Sequence, residues 1–317
     1  MKNAFIMTAA WLAFTTLNLE YATAQNNTIQ INSAYAFIGS GSDNIIQYNC
    51  SPSVIAGGSG NTIQTNSYYA SIGGGDGNYI EPDSSYSVIG GAEDNTIGTG
   101  SPYSVIAGGD VNFIQPGSAY SVIVGGAGNI VGPNASSSLA AGSYAETLHA
   151  GSFVWSDASS SRYTTSIAAN SWTVRATGGA RFITAVDGSG TPTAGVSLAA
   201  GSGTWTSLSD RNAKEHFADV DAKNILAKVA ALPVLTWNYK TQDASIRHIG
   251  PMAQDFKAAF KVGESDTGIT TVDEEGVALA AIQGLNQKLN DKDVEIRQLQ
   301  ESVEQLKQLV QSLNGKK

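Results

Sequence analysis

The one stretch of this chain whose residue types and order could do covalent chemistry is Ser209-Asp210-Arg211-Asn212-Ala213-Lys214. A serine hydroxyl is a weak nucleophile until a base takes its proton. A lysine can be that base when desolvation favours its neutral form. Spacing alone does not decide the matter, because in a chain this rich in serine a turn followed by a solvated lysine reads as well. The other chemical candidates carry less. Gly73-Gly74-Gly75-Asp76-Gly77-Asn78 has some likeness to a calcium coil. The ligand aspartate of such a coil, however, is Asn in all six repeats described below, and a neutral amide oxygen holds calcium weakly. Asp43, Asp76, Asp94 and Asp110 fall near one corner of successive repeats, with Glu81, Asp83 and Glu93 scattered beside them. Glycoside hydrolysis needs paired carboxylates on one face, and these acids read instead as solvated turn residues. Tyr68, Tyr69, Tyr86, Tyr103 and Tyr120 gather near another corner and read as a packed ladder, with sugar stacking as the alternative. No cofactor and no metal is expected.

The elements that must position Ser209 and Lys214 begin just before them. Residues 188–203 are rich in Gly and Ser and read as a linker. From 206 the charge rises, Gly falls, and helical patterns appear. Asp221 to Leu232 reads as a helix ended by Pro233, Val234 to Lys240 as a strand, and Met252 to Phe260 as a helix with Pro251 near its first turn. Val277 onward reads as helix to the end. There Ile282, Leu285, Leu289, Lys292, Ile296, Leu299, Val303, Leu306, Val310 and Leu313 alternate spacings of three and four, the heptad pattern of a coiled coil. β-branched residues at one core position and leucine at the other lean toward two strands, but Lys292 leaves the oligomer number open.

Three blocks follow the Ser/Lys stretch in order: Leu232-Pro233-Val234-Leu235-Thr236-Trp237-Asn238-Tyr239, then Arg247-His248-Ile249-Gly250-Pro251-Met252-Ala253-Gln254-Asp255-Phe256, then Thr271-Val272-Asp273-Glu274-Glu275-Gly276-Val277. Over residues 206–310 this series resembles the C-terminal intramolecular chaperone of phage endosialidase tailspikes and tail fibres, the peptidase S74 family. The resemblance implies a homotrimer that guides a β-rich stalk to fold and then cuts itself off. It implies Ser209 as nucleophile and Lys214 as its general base, with Leu208 and Asp210 flanking the cut. Arg211 is then a supporting charge that keeps Lys214 neutral, Asp210 and Asn212 order the turn, His216 is a competing base, and His248 is a supporting residue whose plainer role is structural. The side of Ser209 on which the chain breaks stays open.

The N-terminal half is built from one 17-residue repeat. Ile38, Ile55, Ile72, Ile89, Ile106 and Ile123 mark it, followed six residues on by Asn44, Asn61, Asn78, Asn95, Asn112 and Asn129, and two further by Ile46, Ile63, Ile80, Ile97, Ile114 and Val131. A fixed period of this length without a helical pattern means stacked coils of short strands. Val54-Ile55 and Asn61-Thr62-Ile63 exemplify the two strands of a coil, Gly and Asn turn its corners, and the six Asn form a hydrogen-bonded row. So few positions point inward that several chains are expected to pack together along the rod. Paired turns such as Ser-Val-Ile-Gly-Gly and Ser-Leu-Ala-Ala-Gly over residues 30–155 resemble the β-roll heads of trimeric autotransporter adhesins, although the period of 17 is longer than theirs.

The chain of 317 residues carries a net charge of −9, which argues against nucleic acid or an anionic membrane as partner. Lys2, the apolar run Ala4 to Leu17, and Ala22-Thr23-Ala24 read as a cleaved signal peptide. Export favours a secreted or cell-surface setting over a virion, with no membrane insertion after the leader is removed. Cys50, the only cysteine, permits no internal disulfide and aligns with Ser67, Ser84, Ser101 and Ser118 as a tolerated substitution at a turn. The expected organisation is mainly β: leader 1–24, β-solenoid head 25–135, β-rich neck and linker 136–205, small α+β chaperone-like domain 206–281, and coiled coil 282–317, in a homotrimer. The expected function is a fibre or adhesin-like protein whose C-terminal part aids trimerisation and releases itself at Ser209. The alternatives are a non-cleaving trimer, with a host-surface or glycan ligand for the head, and a calcium-binding solenoid.

Overall fold

A computed structural model describes residues 26–314, so the expected leader over 1–24 lies outside the described residues. The described chain divides into two compact units, one of residues up to 181 with 198–205, the other of 182–197 with 206 onward.

The first unit is a parallel β-solenoid with two nine-stranded sheets. One sheet begins Thr28–Ile29, Ile45–Ile46, Thr62–Ile63, and the other begins Phe37–Ile38, Val54–Ile55, Ser71–Ile72. Each strand pairs in parallel with its equivalent one coil on, as Val88 with Val105 and Ile89 with Ile106. Most strands are two residues long, because alternation across a strand sends one side chain in and the next out. The inward residue is the repeat isoleucine, and Ile55, Ile63, Ile72, Ile80, Ile89 and Ile97 are all fully buried.

Buried polar rows flank this single file of isoleucines. The Oδ1 of Asn78 accepts from the backbone N–H of Asn95 at 3.1 Å and from its Nδ2 at 3.0 Å. The same Nδ2 also donates to the carbonyls of Gly91 and Gly109. The pattern repeats from Asn44 to Asn129, so each amide is used up by its neighbours. Serine rows work alike: Ser84 Oγ donates to Gly98 O and accepts from Ser101 N. Cys50 occupies one such row, fully buried, its thiol donating to Gln64 O. Burial pushes that thiol up.

The corners are sharp. Gly75 has φ +93°, and a Cβ there would lie 2.0 Å from the Ala92 carbonyl of the next coil. Tyr69, Tyr86, Tyr103 and Tyr120 also take positive φ, between 56° and 60°. This conformation costs an L-residue about 1–2 kcal/mol. Their rings stack at 4.8–5.0 Å within 7° of parallel, which offsets part of that cost. Tyr68, expected in the same ladder, lies outside this stack.

The solenoid continues past its regular repeats. Residues 136–175, expected as neck, add further coils of uneven length: Leu139 pairs with Phe153, and Phe153 with Trp172. Trp172–Arg175 is the last strand of its sheet. Arg175 closes this end, its Nη2 donating to the carbonyls of Asp157 and Ser160 and its Nε meeting Asp157 Oδ1 at 3.1 Å. Part of the expected linker is also strand: Gly179–Val186, Pro192–Ala199 and Trp205–Ser207 form a three-stranded sheet in that order.

The second unit holds three helices and a hairpin. Helix α1 (Ala222–Ala231) is capped by Asp221, whose side chain accepts from Asn224 N. Strands Leu235–Trp237 and His248–Gly250 pair antiparallel. Helix α2 (Ala253–Phe260) buries Phe256 and Phe260. Helix α3 runs unbroken over Thr271–Asn314, starting six residues before the expected Val277. Its Gly284 lets α1 come close, since a Cβ there would lie 2.1 Å from the Ala222 carbonyl. Lys223 and Asp291 tie the two helices at 2.5 Å. Among the described residues, no helix is long and apolar enough to cross a membrane.

Replacing Asn95 by Ala strips the acceptor from Asn112 N and Nδ2 and leaves two glycine carbonyls short of a donor. It should destabilise the solenoid by about 3 kcal/mol, read as a drop in thermal midpoint against Thr96→Ala on the same coil. Asp157 gives an acid-sensitive end. Hydrogen bonds from the Ser159 hydroxyl, then the Thr177 hydroxyl and amide, hold its carboxyl well below the usual range. A lowered folded pKa contributes stability above the ordinary aspartate value of about 4 and loses it as pH falls below that. Asp157→Asn should flatten this acid limb in melting curves taken between about pH 2 and pH 6.

Candidate active site

Ser209 and Lys214 are brought together. The strand Trp205–Ser207 ends just before them, and the Leu208 N–H donates to the Gly195 carbonyl at 3.0 Å, fixing the chain on the N-terminal side of Ser209. Asp210 then caps a single 3-10 turn over Arg211–Ala213: its Oδ1 accepts from Asn212 N at 2.9 Å and Asn212 Nδ2 at 3.2 Å. Lys214 N closes the turn on Arg211 O. The turn spans the five-residue separation, and Lys214 Nζ donates to Ser209 Oγ at 2.6 Å.

The expectations for the surrounding side chains fare differently. Asp210 and Asn212 order the turn. Arg211 sits over the Phe217 ring, 5.0 Å from its centroid, an aromatic partner the motif reading had not singled out. The expected burial of Lys214 is absent within one chain: Ser209 and Lys214 are both exposed. His216 is exposed and faces Glu215 at 3.4 Å. His248 packs 4.8 Å from Trp237, its Nε2 2.9 Å from Gln242 Oε1, a structural setting within the hairpin. The hairpin also ties Arg247 to Thr236 Oγ1, and the Trp237 indole N–H is buried without a hydrogen-bond partner.

The chemical capacity of this arrangement follows from its parts. A hydroxyl in contact with a lysine nitrogen is a pairing that can act as nucleophile and base once the lysine is neutral. The solenoid offers less. The Asn78 Oδ1, where a calcium ligand was considered, is taken by its ladder neighbours. Among the described residues no group of three or more His, Cys, Asp or Glu is placed to hold a metal ion. The stacked tyrosines turn their faces to each other, so a sugar would find ring edges and hydroxyls along most of the ladder.

Residues 209–262 match the family model of peptidase S74, the chaperone of endosialidase. The match starts at Ser209 and takes in the Ser/Lys turn, α1, the hairpin and α2. It leaves the solenoid and α3 outside. No curated protein and no solved structure matches the chain. The molecule thus carries a segment similar to the S74 chaperone together with a parallel β-solenoid.

Proposed function

We propose that this chain is a trimeric, tail-fibre-like or adhesin-like protein whose C-terminal region guides three solenoids into register and then releases itself by cutting the Leu208–Ser209 bond. The contact of Lys214 Nζ with Ser209 Oγ at 2.6 Å, at the first residue of the S74 match, carries the reading. Assembly rests on α3: its apolar heptad positions are uncovered in a single chain, with Ile282, Leu299 and Leu306 each about 60% exposed. Such a seam is stable in water only against other helices. Lys292, the polar heptad position, pairs with Glu295 of its own helix. The chain would be exported through residues 1–24 and act outside the cell.

In the proposed reaction, neutral Lys214 takes the proton of Ser209 Oγ as the oxygen attacks the Leu208 carbonyl carbon. The C–N bond breaks, and the proton passes to the departing α-amine of Ser209. An ester now joins Leu208 to Ser209 Oγ. Water adds to it, giving the Leu208 carboxylate and restoring the hydroxyl. An exposed ammonium is no base, so Lys214 needs the desolvation that neighbouring copies supply, and cutting waits for assembly.

Denaturing gels with intact masses test the cut. Wild type should give fragments that meet at 208/209, and Ser209→Ala and Lys214→Ala a single full-length band. Full-length chain in all three would remove the protease and leave a permanent clamp. The coupling has its own test: Leu299→Asp with Leu306→Asp should abolish the trimer by native mass and slow cleavage at least tenfold. Normal cleavage in a monomer would break the link between the two.

A further inference from the structure

Through its regular coils, one outer face of the solenoid is free of charged and amide side chains. Within each coil, three outward positions follow one another two residues apart along the sheet that contains Val54–Ile55 and Val88–Ile89. The first row is the tyrosine ladder. The middle row includes Val54, Val88, Val105 and Val122, and the third is mostly Gly and Ala, as at Ala56 and Ala107. No charged residue stands in any of the three. The outward rows of the opposite sheet mix apolar Ile45, Tyr79, Phe113 and Ile130 with Gln47, Gln64, Glu81 and Gln115. The carboxylates of the regular coils, from Asp43 to Asp110, all lie outside the apolar rows, and no Lys or Arg occurs between residues 26 and 161.

At about 4.8 Å per coil, nine strands make this face about 40 Å long, and three rows two residues apart make it about 14 Å wide. Its area, about 500 Å2, is at the upper end of apolar patches on monomers. Resting on the trimeric reading above, we infer that two further copies of this chain cover this face, so that the three solenoids meet along it with the valine row nearest the shared axis. Charge placement selects that occupant. The face has no cation for an anionic glycan or membrane. Copies meeting here keep their uniformly acidic corners apart. Three such faces would together bury about 1,500 Å2, the size of a standard specific interface.

The test uses the full chain with Cys50→Ser, a change the serine row accommodates. Val88→Cys on the face and Thr96→Cys on the opposite sheet are each treated with a short thiol cross-linker, and native mass is measured in parallel. The expected result is a trimer in which Val88→Cys gives covalent dimers at least tenfold faster than Thr96→Cys. A trimer with no such preference, repeated with Val54→Cys in case one site is perturbed, would overturn the face assignment while leaving trimerisation standing. A monomeric mass would overturn both.

Discussion

Everything in the solenoid depends on coils keeping one register. A two-residue strand buries a single side chain, so the core is one isoleucine wide on each face. A slip of one residue would turn Ile89 outward and Val88 inward, and the same exchange would run through the sheet. Hydrophobicity alone resists such a slip weakly, since the outward residue is often Val, Ile or Phe. The buried asparagines resist it strongly, because each amide has hydrogen-bond partners in the coils on either side and a shifted copy would strand donors and acceptors without water. The isoleucines thus supply the driving force, while the polar rows define which stack forms.

That division of labour makes folding a problem of beginnings. No coil has partners until its neighbours exist, and pairing between residues 17 apart must be repeated many times before the stack holds. An element that folds through local contacts escapes this difficulty. Helix α3 does so by its own hydrogen bonds, and α1 docks on it at Gly284 through Ala222 and the Lys223–Asp291 pair. In the proposed assembly, joining three such helices raises the local concentration of the attached solenoids.

The period of 17 made the solenoid legible because register, core and ladder all repeat with it. Legibility stopped near residue 132, where Leu139–Phe153 and Phe153–Trp172 pairings change the coil length although the sheet continues. Pairing tolerates unequal loops, and a fixed-period reading does not. The strand Pro192–Ala199 was hidden for a related reason: its Gly and Ser content reads as linker, while its hydrogen bonds come from the strands beside it. At the site, the Asp210-capped turn was legible as a motif, since Asp and Asn at those positions bond their own backbone. Arg211 over Phe217 was not, because nothing in the spacing distinguishes a free arginine from one resting on a ring.

The exposure of Ser209 and Lys214 bears on timing. A dyad already desolvated in the lone chain would cut as soon as the segment folded, before slow parallel pairing had finished, and the solenoids would lose the element holding them together. A dyad whose geometry is set by a local turn, but whose lysine sits in water until other copies surround it, separates positioning from activation. The Asp210 turn needs only adjacent residues to place Lys214 Nζ on Ser209 Oγ. In the proposed assembly, desolvation comes from the neighbouring copies. In the proposed scheme the same event that completes the clamp therefore arms its removal, and the stack left behind is retained by how slowly so many interlocked pairings come apart.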